Sequence, residues 1–150
     1  MSRIPALALA AALAVSVTSC GSTSTSRPVD IAATTSAVHV LGATVVAGSH
    51  DGARLDVALH NVGTQTDALL SITCTCANVE IHDVGHGSKL GPTVDAVTLP
   101  SEQMVFFETG GRQIVLTGLT EPLAFGDTVD LTFTFRISPP LTAVATVKTH

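Results

Sequence analysis

The chain has 150 residues, carries seven Lys and Arg against twelve Asp and Glu for a formal net charge of −5, and contains five Phe with no Trp or Tyr. This acidic balance excludes a basic nucleic-acid footprint, and the missing aromatics leave no platform on which sugars or bases could stack. The length past the first 35 residues suffices for one domain with a real core, and no second domain is expected.

The first element in chain order is an export signal. Arg3 supplies a positive start, Ile4 to Val15 an apolar run, and Val17-Thr18-Ser19-Cys20 a small-residue cut site ending in cysteine, the pattern of a bacterial lipoprotein. The run falls short of the roughly 20 residues a membrane-crossing helix needs. Residues 1–19 therefore read as a signal peptide, Cys20 as the lipidated first residue, and residues 20–35, including 21-GSTSTSRP-28, as a flexible tether. The mature chain would carry a net charge of −6 and be held by acyl chains on the extracytoplasmic face of a bacterial membrane, anchored without spanning it.

Residues 36–150 alternate apolar and polar side chains in short runs broken by Gly, Pro, Asn and Asp, which predicts an all-β domain. In 54-RLDVALHNVG-63, Leu55, Val57 and Leu59 should face inward and Arg54, Asp56 and His60 outward. In 127-DTVDLTFTFRI-137, Val129, Leu131, Phe133 and Phe135 should form one buried face. Further strands are predicted at 38–47, 67–73, 78–83, 93–99, 103–108, 112–119 and 141–148, with turns at Gly110-Gly111 and Gly126-Asp127 and a break at Pro139-Pro140. Eight or nine strands at this spacing imply a β-sandwich or Greek-key barrel.

The sequence has no nucleophile elbow, phosphate loop or zinc-protease helix motif, so an enzyme is not the expectation. The polar residues that cluster are Cys74, Cys76, His82 and His86, all types suited to a soft or borderline metal. Residues i and i+2 of a strand share a face, so Cys74 and Cys76 could offer two thiolates to Cu(I) or Zn(II), with His82 arriving from the next strand. Two other readings stand beside this one. The cysteines pair with each other in an oxidising compartment, which requires a local bend, or they serve as small buried apolar groups. His86, between two glycines, reads as a solvated loop residue, as do His39, His50, His60 and His150.

The order of segments then becomes informative. The chain runs 61-NVG-63, 79-VEIH-82, 99-LPSEQMVFFETGG-111 and 118-GLTEPLAFGDTVDLTFTF-135. From about Ala53 onward it resembles the PCuAC family of extracytoplasmic copper(I) chaperones, and the last of these pieces is the most similar. The resemblance implies a cupredoxin-like Greek-key β-sandwich, copper(I) as cargo and a copper-recipient protein as partner, with delivery toward a respiratory oxidase. The family's ligands are a His, a Met and a His-x-Met pair. Here His82 takes the first position, Leu90 falls near the Met, and Gln113-Ile114-Val115 falls on the pair.

The leading expectation is therefore a copper carrier with a rebuilt site, in which His82 is joined by Cys74, Cys76, His86 or Met104. The alternative is an envelope structural or interaction lipoprotein that keeps only the fold.

Overall fold

Alternation with period two becomes nine β-strands and no helix among the residues described by the computed structural model, 36–48, 52–86 and 89–149. The signal peptide, Cys20 and the tether, together with His50 and His150, lie outside the described residues. The strands are β1 (Val38–Ala47), β2 (Gly52–Asn61), β3 (Asp67–Thr73), β4 (Asn78–His82), β5 (Val97–Leu99), β6 (Gln103–Phe107), β7 (Gln113–Thr117), β8 (Thr128–Phe135) and β9 (Leu141–Thr149).

They form one continuous sheet in the order β4-β7-β2-β1-β9-β8-β3-β5, with β6 also paired to β2. β1 joins the two halves. It runs antiparallel to β2 from Val38 to Ala47 and parallel to β9 through Thr44–Ala47. Within the β1–β2 pairing the register jumps from Leu41 to Thr44, where Gly42 takes a φ of 63°, a left-handed conformation that suits glycine and makes a bulge. The sheet curls so that its two halves share one core, as a cupredoxin-like sandwich does. Leu55 and Leu59 of β2 are buried with Leu131 and Phe133 of β8. Truncating a fully buried Phe such as Phe133 to Ala is expected to cost about 3–5 kcal/mol.

The predicted facing of both signature strands is observed: Leu55, Val57 and Leu59 are buried, as are Val129, Leu131, Phe133 and Phe135. The strand expected over 93–99 is shorter. Thr93 bridges back to His82 on β4, whereas Val97–Leu99 pairs with β3, so the chain leaves one half of the sheet for the other between them.

Two polar side chains set the frame at one end. The fully buried Asn61 donates Nδ2–H to the carbonyls of Gln65 (2.8 Å) and Leu99 (2.9 Å) and accepts from the Gly63 N–H (3.0 Å). Gly63 is required there, because a Cβ would lie 2.9 Å from the Ala37 side chain. Asp67 accepts the N–H groups of Ala68, Ile137 and Ser138 at 2.7–2.9 Å, tying β3 to the segment after β8. Burial alone would raise its pKa, but the hydrogen bonds from Ser138, Ala68 and Ile137 outweigh it and hold the carboxyl below its ordinary value.

Candidate metal centre

His82 ends β4 directly opposite Gln113 of β7. Its ring is nearly buried, with Nδ1 2.9 Å from the Gly91 carbonyl oxygen. A carbonyl only accepts, so Nδ1 carries the proton and the ring is fixed in orientation. Nε2 lies 3.3 Å from Oε2 of Glu80, two residues back on the same face of the strand. The loop that supplies Gly91 is clasped at its base by the Asp83 N–H to the Pro92 carbonyl (2.9 Å) and by Arg112 Nε to Asp83 Oδ1 (2.9 Å). The Val84 N–H and the Arg112 guanidinium hold the Asp83 carboxyl below its usual range against the opposing pull of desolvation. His86 and Leu90 are exposed on this loop.

The cysteines are elsewhere. Cys74 and Cys76 are joined by a disulfide across a bend after β3, with their Cα atoms 5.2 Å apart. The Cys76 carbonyl accepts from the Thr120 N–H (2.9 Å), and the pair borders an open cavity of about 640 Å³ with Thr120, Pro122, Asp127 and Asp130. Asn78, at the cysteine end of β4, lies opposite Thr117, and His82 lies at the other end opposite Gln113. Four residues of strand, about 13 Å, separate those ends. The bonded sulfurs also offer no thiolate.

Met104 is distant from His82 as well. It sits on β6 opposite His60, whereas β7, which carries Gln113, pairs with β2 around Leu55. Gln113, and so His82, is level with Asp56 of β2, four residues or about 13 Å along that strand from His60. The expected centre of His82, Cys74, Cys76, His86 and Met104 is thus not gathered into one group. Among the described residues, no three His, Cys, Asp or Glu side chains come together as metal ligands.

Two histidines read as solvated lie on strands, within the segments where strands were expected. His39 on β1 and His60 on β2 are cross-strand partners whose rings meet edge to face, with centroids 6.5 Å apart. The period-two pattern sets His60 on the outward face of its strand, but its pairing with His39 depends on a register the sequence does not display.

A protein-family model described as "Putative lipoprotein LpqE-like" matches residues 29–147. The chain belongs to the LpqE-like family. Among curated proteins no relative matches. Among solved structures, this LpqE-like chain is similar to the copper-bound PCuAC domain from PmoF2 (TM-score 0.66, 19% identity, 75% of this chain and 93% of that one) and to the apo PCuAC domain from PmoF1 (0.66, 20%, 75% and 94%). It is also similar to the Cu(I) form of DR1885 from Deinococcus radiodurans (0.61, 28%, 71% and 75%). The fold is that of PCuAC domains, as the sequence resemblance implied.

In the LpqE-like chain, strand pairing brings position 82 against position 113. Gln113 presents an amide opposite His82, and Leu90 and Val115 have no donor atom. What remains is one oriented imidazole beside a carboxylate, a poor set for a soft cuprous ion.

Proposed function

We propose that this LpqE-like protein is an extracytoplasmic lipoprotein, anchored through Cys20, that carries Cu(I) and hands it to a copper-recipient protein. The observation that carries this reading is the likeness of its sheet to the Cu(I) form of DR1885 at 28% identity. The lipoprotein signal adds the address, and imidazole and thioether side chains remain available on the sheet.

The test is an anaerobic titration of the purified full chain with Cu(I) against a competing chelator. Retention of one ion at submicromolar free copper is the expected result. Retention no better than that of an unrelated β-sandwich would favour the second reading, an envelope interaction protein without metal, which Leu90, Gln113 and Val115 support. For the anchor, Cys20→Ala should move the protein from the membrane fraction to the soluble one.

A further inference from the structure

One row of side chains crosses three neighbouring strands on the outer face of the sheet. β1 is paired to β2 so that His39 stands opposite His60, and β2 is paired to β6 so that His60 stands opposite Met104. Directly opposite residues in antiparallel strands project to the same side, with Cβ atoms about 5 Å apart. The order across the sheet is therefore imidazole, imidazole, thioether, with His60 in the middle.

We infer that His39, His60 and Met104 form a Cu(I) site distinct from the His82 position. The chemistry of the three donors argues for this ion. Two neutral imidazoles with a thioether match a soft monovalent metal, and thioether sulfur gives nothing to Mg²⁺ or Ca²⁺. The geometry agrees. The two rings meet edge to face with centroids 6.5 Å apart, a separation that admits an ion at about 2.0 Å from a nitrogen of each once the rings turn those nitrogens toward it.

The surroundings are also suited to the ion. The ion pairs among the described residues are Arg54–Asp56, His82–Glu80 and Arg112–Asp83, so neither His39 nor His60 is tied to a carboxylate. Asp56, on the same face of β2 as His60, is four residues away and clasped by both Nε and Nη2 of Arg54 at 2.7 and 3.2 Å. The neighbouring row of the sheet is Leu41, Ala58 and Phe106, and Leu41 and Phe106 are exposed apolar side chains. That row places apolar groups beside the donors, which disfavours ions that keep a hydration shell. Met104 is 44% exposed, so the row is open to exchange with a partner, as a carrier requires and a permanently buried cofactor site does not.

This inference rests on the reading of the protein as a Cu(I) carrier, and the experiment separates the two. The purified full chain and three variants, His39→Ala/His60→Ala, Met104→Leu and His82→Ala, are titrated anaerobically with Cu(I) against a chelator, with thermal unfolding recorded for each. The double histidine change should weaken retention at least a hundredfold, and Met104→Leu about tenfold. Both should leave the unfolding midpoint near that of the unaltered chain, because all three side chains are on the solvent side. His82→Ala should leave retention unchanged. Retention by the unaltered chain that survives the changes at His39, His60 and Met104 overturns this site and leaves copper carriage standing. No retention by the unaltered chain overturns both.

Discussion

Two places on the same sheet present imidazole, and they differ in every other respect. At the end of β4, His82 is nearly buried, its Nδ1 is fixed by a backbone carbonyl, and its neighbours are an amide and a carboxylate. Across β1, β2 and β6, His39 and the half-buried His60 meet edge to face on the outer side of the sheet beside a thioether. The first place offers one oriented ring without the soft donors a cuprous ion needs. The second has such donors, brought together by strand register alone. A retained backbone is thus no guide to where a soft ion would bind, because coordination depends on which donors converge and not on which position in the fold they occupy.

The comparison breaks most clearly if copper follows His82. His39→Ala/His60→Ala should cost at least a hundredfold in Cu(I) retention with the fold intact, and the chelator titration reads this directly.

A larger effect on stability than any change at either imidazole should come from Asp67, which ties β3 to the segment after β8. Asp67→Ala leaves the N–H groups of Ala68, Ile137 and Ser138 without their acceptor and should lower stability by about 3 kcal/mol in a denaturant titration. Because the folded-state pKa of Asp67 is depressed, its contribution is fully present above the unfolded value of about 4 and is lost as pH falls through the lower folded value. In Asp67→Asn that acid-dependent part should vanish from the pH profile.

His82→Ala should act on stability and not on copper. It removes the donor to Gly91 and loosens the clasped loop, for a loss of about 1–2 kcal/mol with unchanged metal retention. The smallest effect should come from Cys74→Ser/Cys76→Ser. A bridge closing so short a loop restricts the unfolded chain little, so the loss should stay near 1 kcal/mol, again with copper retention unchanged. Mass measurement before and after thiol alkylation should show no free Cys74 or Cys76 until reductant is added.

The fold was largely legible before any coordinates. The alternation in β2 and β8 specified both buried faces because a residue on a strand has only two sides to choose from. Turn chemistry at Gly110-Gly111, Gly126-Asp127 and Pro139-Pro140 marked where strands end. The grouping of the candidate donors was only partly legible: a Cys74–Cys76 bridge across a local bend was one of the open readings and is observed. Proximity in sequence drew Cys74, Cys76 and His82 together, yet β4 carries its two ends about 13 Å apart, and the bend at residues 75–77 let the cysteines pair with each other. Met104 lies far from His82 in the sheet, a separation that sequence order does not display. Its actual neighbours, His60 directly and His39 beyond it, are 44 and 65 positions earlier in the chain and are brought to it only by the β1–β2 and β2–β6 registers. Asp67 passed unremarked for the same reason, since two of its three partners lie about seventy residues away.

Cu(I) has a closed d shell and is diamagnetic, so nuclear magnetic resonance can follow each histidine ring and methionine methyl of the full chain as one equivalent is added under argon. Shifts confined to the rings of His39 and His60 and the methyl of Met104, with His82 unmoved, are the predicted result. A shift of the His82 ring with the other three still would contradict it.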